Sequence, residues 1–355
     1  MSQTALGFEI IGTGHYVPGP PVTNAQLARV MDTDDEWIFK RSGIRQRHYA
    51  PEGVGASDLG AEAAKRALEA ARLSARDIDY IVFATMTADY VFPGSAALVG
   101  AKLGIDGVPA LDIRQQCGAM LFGLQMIDGL IKSGAAKTIL FVGAEAHAGF
   151  MPWDDWDVVM GESDRAVSPE ARERANAHRT LAVLFGDGAG ALIFRATDRD
   201  AGLRGMKLHT DGRAAKLLYV PGGGFRTRPY WKKAHFDEQA HIPRMDGKEL
   251  FRFAVTKLPE AARALCAETG VKLEEIDWFL AHQANQRINE YVRKDLGAPA
   301  EKMPMNIDRF GNTSAATIPI LIDEETRKGK LKRGELNMIL ALGAGVHWGC
   351  ALVRW

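Results

Sequence analysis

The chain has 355 residues, more than a single hydrophobic core readily fills, so two core units are expected. Hydrophobic residues make up 46% and charged residues 25%, an ordinary globular balance. With 44 basic and 44 acidic side chains no bulk field recruits nucleic acid or an anionic membrane, and no apolar run is long enough for a spanning helix.

The opening, Met1-Ser2-Gln3-Thr4-Ala5-Leu6-Gly7, lacks the basic and apolar regions of a signal peptide, so no leader is expected. The cysteines at 117, 266 and 350 cannot all pair and show no CxxC spacing. A reduced, cytoplasmic protein without disulfides or a structural zinc is the expectation. Gly12-Thr13-Gly14 follows a strand-like run, but Val17 stands where a dinucleotide fingerprint needs its third glycine. Arg66-Ala67-Leu68 through Ile78-Asp79-Tyr80-Ile81-Val82 then reads as an amphipathic helix, a loop and a buried strand.

Cys117 follows the apolar run Val108-Pro109-Ala110-Leu111-Asp112-Ile113 and opens the apolar stretch from Gly118 to Ile131. A strand, a sharp turn and a buried helix are predicted, with the thiol near the helix start. There the helix dipole favours thiolate over thiol and makes a nucleophile. The competing reading is a buried cysteine packed as a small hydrophobe. Downstream, Met151-Pro152-Trp153-Asp154-Asp155-Trp156-Asp157 is acidic and aromatic, and Ser168-Pro169-Glu170 looks like a capped helix start. Exposed tryptophans are costly, so this piece packs on something: a lid, a tunnel wall and a subunit contact are all open.

The remainder repeats the first part. Arg263-Ala264-Leu265 through Ile276-Asp277-Trp278-Phe279-Leu280 repeats the helix, loop and strand; Ile339–Ala344 resembles Ile139–Ala144, and Gly349–Arg354 resembles Gly190–Arg195. The changing offset places extra residues between Gly143 and Gly190. Glycine-bounded apolar runs alternating with helices suggest parallel, fully covered sheets. Two duplicated halves, 1–200 and 201–355, with an insertion near 150–180, then give a layered α/β sandwich.

Within the second half, His282 follows the buried strand ending near Leu280, where open α/β sheets place ligands, and stands where the first half has Ala84. In Gly311-Asn312-Thr313-Ser314, turn and cap chemistry accounts for Thr313 and Ser314, while Asn312 is either a turn residue or an amide donor into a site. Gly186-Asp187-Gly188-Ala189-Gly190 and Pro221-Gly222-Gly223-Gly224 lack the Lys-Ser/Thr of a P-loop. Gly343-Ala344-Gly345, bare and after a buried strand, reads as half an oxyanion hole.

Together these residues resemble the β-ketoacyl-acyl carrier protein synthase III group of thiolase-fold condensing enzymes. The markers are Asp32-Thr33-Asp34-Asp35-Glu36-Trp37-Ile38, Arg41-Ser42-Gly43-Ile44-Arg45, Cys117 in its setting, His282-Gln283-Ala284-Asn285 and Gly311-Asn312-Thr313-Ser314-Ala315-Ala316. The resemblance runs nearly the full length. It implies a thiolase-like αβαβα fold and a homodimer.

The chemistry it implies is a decarboxylative Claisen condensation. Cys117 would take an acyl group from acyl-CoA. His282 and Asn312 would donate to the thioester oxygen of malonyl-acyl carrier protein, and the Cys117 and Ala344 amides would hold the acyl-enzyme oxyanion. Thr33, Trp37 and Arg41 match residues around the adenine nucleotide, Gly247 and Phe251 match the pantetheine tunnel, and Leu342 matches a substrate-binding side chain near the nucleophile. Arg252 and Arg287 match a basic surface for the carrier protein, and Phe92 a residue crossing the dimer interface. No cofactor or metal is implied beyond the coenzyme A thioester as substrate.

Departures are visible too. Arg114-Gln115-Gln116 replaces small residues, Ala344 replaces a glycine, Leu342 and Val346 replace phenylalanines, and the arginine on the adenine's other face has no assigned position. These departures and the Trp-rich insertion suggest a primer longer or bulkier than acetyl. The rival readings are a thiolase-fold acyltransferase or chain-joining enzyme without decarboxylation, and a noncatalytic acyl-CoA or carrier-protein binding module.

Overall fold

The computed structural model describes residues 7–355. Met1 to Leu6, in the stretch read above as carrying no leader, lie outside the described residues. In chain order the first part holds β1 (Gly7–Tyr16), α1 (Asn24–Val30), α2 (Asp35–Ser42), α3 (Ala56–Ala71), β2 (Tyr80–Ala84), α4 (Ser95–Leu103), β3 (Ala110–Ile113), α5 (Ala119–Lys132) and β4 (Thr138–Glu145). The inserted stretch contributes α6 (Trp156–Val159), α7 (Pro169–Ala177) and α8 (Arg179–Ala182), followed by β5 (Gly188–Thr197). The rest comprises β6 (Gly202–Thr210), α9 (Gly247–Thr269), β7 (Trp278–Ala281), α10 (Gln286–Asp295), α11 (Thr317–Arg327), β8 (Leu336–Gly343) and β9 (His347–Arg354).

Two main sheets result, ordered β1-β5-β4-β2-β3 and β7-β8-β9-β6. Every residue of β4 is buried, because helices cover both faces of its sheet. Layering follows from the side-chain clusters. α3 packs on the outer face of the first sheet, α5 and α11 fill the space between the sheets, and α9 covers the outer face of the second. This is the expected αβαβα sandwich.

Two features of the sheets differ from the sequence reading. The sheets are mixed: β2 runs parallel to β3 and β4, and β7 to β8, but β5 is antiparallel to β1 and β4, and β9 to β8 and β6. Only residues 344–346 join β8 to β9, and a parallel return needs a crossover of a dozen or more.

The repeat is also displaced. Asp79 accepts from the Thr138 N–H, and Asp277 accepts from the Leu336 N–H, so Thr138 corresponds to Leu336. Tyr80 lies beside Ile139 and Trp278 beside Asn337. Ile139 therefore matches Asn337 rather than Ile339. A slip of two residues keeps every side chain on its own face, so the apolar pattern alone does not reveal it.

The inserted tryptophans build a separate core. Trp153 is 3% exposed and sits with Tyr49 and residues of α1 and α2; Tyr49 contacts Trp153 and Trp156 edge-on at 6.0 and 5.3 Å between ring centres. The insertion thus shores up the segment carrying Thr33, Trp37 and Arg41. Its tryptophans do not argue for an altered acyl pocket.

Candidate active site

Cys117 lies in a short 3₁₀ turn, Gln116–Gly118, between β3 and α5. The residue before it, Gln116, takes φ 47°, a left-handed conformation that a side chain normally avoids and that here turns the chain sharply into the helix. β8 ends against this turn. A Cβ placed on Gly343 would stand 2.7 Å from the Gly118 nitrogen and 3.0 Å from the Cys117 nitrogen, so only glycine lets the 343–345 loop come this close.

His282 follows β7, and its N–H donates to Leu340 O at 2.8 Å, extending the ladder by one residue. The ring is buried. Nδ1 is 2.6 Å from Thr317 Oγ1, and Nε2 has no hydrogen-bond partner among the described residues. Gln283 and Asn285 of the same motif do structural work. Gln283 bonds Ala281 O and the Asn306 N–H; Asn285 caps α10 through the Arg287 N–H and donates to Arg41 O at 2.9 Å.

Asn312 is buried too. Its Oδ1 accepts from the Ser314 N–H at 2.8 Å, which leaves Nδ2 as the end able to donate to a ligand. Ser314 is where the three groups meet. Its Oγ accepts the Cys117 thiol at 3.4 Å, its N–H holds Asn312, and its carbonyl is 3.0 Å from Thr317 Oγ1, the partner of His282. It does this at φ 48°. The turn is pinned from the first sheet: Glu145 accepts from the Ala315 N–H at 3.4 Å, and a Cβ on Gly143 would lie 2.3 Å from Ala315 O. The sequence reading gave Ser314 only a cap role; a polar residue two positions from Asn312 was the available signal.

Electrostatics correct one expectation. Burial pushes the Cys117 thiol up to about 12; the Ser314 hydrogen bond pulls the other way and the Glu145 carboxylate adds to the rise. The thiol is held protonated, with the residue 6% exposed. Burial likewise pulls His282 down to about 3, so its imidazole is neutral. A neutral ring is what a hydrogen-bond donor that must not form an ion pair requires.

The remaining predicted residues surround the site at greater distance. Thr33 precedes α2, with its buried hydroxyl lacking a partner among the described residues. Trp37 lies on α2 with the guanidinium carbons of Arg41 and Arg179 at 4.2 and 4.5 Å from its ring centre. Arg179 stands at the start of α8, within the inserted stretch. Gly247 opens α9 behind the Asp246 cap, and Phe251 one turn on lies 5.6 Å from the Arg287 guanidinium. Arg252 is exposed and paired with Glu249 at 2.9 Å. Leu342 packs with the α9 cluster. Phe92 is 80% exposed, and Tyr90 and Val91 beside it are also open to solvent.

Comparison with known proteins covers the whole arrangement. The family described as 3-Oxoacyl-[acyl-carrier-protein (ACP)] synthase III matches residues 111–212, its C-terminal counterpart matches 266–355, and the thiolase N-terminal domain matches 39–151. A β-ketoacyl-acyl-carrier-protein synthase III from Rhizorhabdus wittichii is 40% identical over 98% of each chain, and one from Paramagnetospirillum magneticum is 41% identical over 98% of each. The crystal structure of a 3-oxoacyl-acyl-carrier-protein synthase III from Aquifex aeolicus superposes with a TM-score of 0.83 at 36% identity, covering 98% of this chain and 100% of that one.

Proposed function

The chain belongs to the 3-oxoacyl-acyl-carrier-protein synthase III family, and from that premise we propose that it condenses an acyl-CoA primer with malonyl-acyl carrier protein through an acyl-Cys117 intermediate. The Cys117 sulfur attacks the acyl-CoA carbonyl, the bond to the coenzyme A sulfur breaks, and the thiol proton leaves with coenzyme A. The carbanion comes from malonyl: its bond to the carboxylate breaks, carbon dioxide departs, and the electron pair moves toward the thioester oxygen. Asn312 Nδ2 and His282 Nε2 donate to that oxygen. The carbon then attacks the acyl-Cys117 carbonyl, whose oxyanion rests on the Cys117 and Ala344 amides. The Cys117 sulfur leaves and takes a proton from solvent.

One observation carries this reading: the Ser314 turn links the thiol, the Asn312 amide and, through Thr317, the His282 ring in one hydrogen-bonded set. The Trp37 ring beside Arg179 and Arg41 supports a stacked base at the entrance, with Thr33 alongside. Gly247 and Phe251 would line the pantetheine passage, Leu342 would border the acyl group near the nucleophile, and Arg252 and Arg287 would face the carrier protein. The exposed Tyr90-Val91-Phe92 run supports a homodimer in which these residues are covered. Three free cysteines fit a reducing, cytoplasmic setting, and no helix among the described residues is long and apolar enough to cross a membrane.

Intact-mass measurement after incubation with acyl-CoA should show one acyl group on Cys117, absent in C117A. Adding malonyl-acyl carrier protein should then release carbon dioxide and discharge the acyl group. Acylation without carbon dioxide release would replace this reading with acyl transfer, and no acylation with a binding module.

A further inference from the structure

We propose that Thr317 is a positioning residue that fixes the tautomer of His282: its hydroxyl donates to Nδ1 and so keeps the ring proton on Nε2, the nitrogen with no protein partner. This rests on the decarboxylative reading above.

Thr317 is the first residue of α11 and is buried, with Oγ1 at 2.6 Å from His282 Nδ1. A hydroxyl has one proton, and two acceptors compete for it here: Nδ1 and the Ser314 carbonyl at 3.0 Å. That carbonyl already accepts the Thr317 N–H. Nδ1 is buried and has no other partner among the described residues. The shorter contact, and a carbonyl that already has a donor, both direct the hydroxyl proton to Nδ1.

The alternative has a chemical cost. A hydroxyl turned to Ser314 would require the ring proton on Nδ1, leaving a bare lone pair on Nε2. That lone pair would face the oxygen on which negative charge develops and repel it. Because the ring is neutral, the tautomer alone decides whether Nε2 is a donor or an acceptor. Asn312 then supplies one donor and His282 the other. Ser314 binds both arrangements into a single turn.

The test uses the full chain labelled with ¹⁵N-histidine, together with Thr317→Val and Thr317→Ser. Nitrogen shifts should place the His282 proton on Nε2 in the native protein and in T317S, and show that this placement is no longer exclusive in T317V. Carbon dioxide release from malonyl-acyl carrier protein on the acylated enzyme should fall about tenfold to a thousandfold in T317V, as for a lost oxyanion donor or a wrong tautomer, and recover in T317S. The rate of Cys117 acylation should stay within about twofold, because this nitrogen acts only in the second step. A native ring protonated on Nδ1, or T317V that decarboxylates at the native rate, overturns the assignment. If T317V does not fold, the native spectrum alone decides. Should the native protein release no carbon dioxide, the decarboxylative reading falls, while the nitrogen shifts still report whether Thr317 controls the ring.

Discussion

Ser314 Oγ stands 3.4 Å from Cys117 Sγ and is the acceptor for the thiol hydrogen, although the two residues are 197 positions apart in the chain. Once the thiol proton is gone the same hydroxyl donates to the thiolate, and this lowers the thiol pKa against the larger effect of burial. Ser314→Ala should therefore raise the pKa further and slow alkylation of Cys117 by iodoacetamide about fivefold at fixed pH, the worth of one modest hydrogen bond. Because Ser314 sits at φ 48°, Ser314→Gly removes the same hydroxyl while relieving the backbone. Equal slowing in both variants assigns the effect to the hydroxyl. An unchanged alkylation rate in S314A would show that the contact has no energetic weight.

Alkaline stability follows from the same burial. Cys117 and Cys350 are each pushed from 9.0 up to about 12 by desolvation. Between those values the folded chain keeps protons that the unfolded chain has given up. Folding stability therefore falls as pH rises from 9 toward 12, by up to about 1.4 kcal/mol per pH unit for each thiol. Urea titrations across this window should show a shallower decline in C117A and again in C350A. The comparison is of slopes, since a cavity shifts the level but not the slope. Parallel slopes in native and variant chains would refute it.

The sequence made the architecture legible because its apolar runs, glycines and Ile-Asp-aromatic signature recur in the same order in both parts. His282 was visible as a polar residue at a strand end where the other half has Ala84, and Cys117 as a thiol between a strand and a buried helix. What stayed hidden depends on distance in space rather than along the chain. Ser314 looks like a cap until the turn meets Cys117 from the other sheet. Arg179 lies 142 positions after Trp37 and joins it only because the insertion folds back over α2. The rise of the Cys117 thiol was hidden as well, because desolvation is set by the whole packed site and no local pattern reports it.

Acid stability separates two histidines. His282 is pulled from 6.5 to about 3 by burial, so the unfolded chain binds a proton that the folded one refuses. Its contribution is complete above pH 6.5 and is lost as pH falls toward 3. At His147 burial also pulls down, but Asp187 and Glu145 prevail and the pKa rises, so its contribution is present below 6.5 and lost as pH climbs. His282→Gln should thus flatten the acid limb of stability below pH 6.5, and His147→Gln should not. In native protein the His282 ring should show no titration shift between pH 5 and 8; a midpoint near 6.5 would contradict its burial.

Primer choice is tested at two side chains. Leu342, packed with the α9 cluster, and the buried Val346 stand where relatives of this type were expected to carry phenylalanine. Acylation of Cys117 across an acyl-CoA series should peak above acetyl, and Leu342→Phe or Val346→Phe should move the peak toward shorter chains. A sharp acetyl optimum in the native protein refutes the enlarged pocket.

Trp37 and Arg179 give the most selective kinetic test. A base stacked on the indole and covered by a guanidinium gains about 1–3 kcal/mol, and about 1.4 kcal/mol is tenfold in affinity. Arg179→Ala should raise KM for acyl-CoA about tenfold and leave kcat unchanged, because the nucleotide lies remote from the reacting carbonyl. A short acyl-pantetheine thioester, which carries no adenine, should be used equally well by native protein and variant. Trp37→Ala should behave the same way. The double variant should lose less than the sum, since both groups hold one ring. The ring is already contacted by Arg41 at 4.2 Å and Arg179 at 4.5 Å, so a bound base must displace one of them, and Arg179→Ala removes that competition along with the contact. A matching loss on both donors would mean that Arg179 holds the insertion in place rather than the nucleotide.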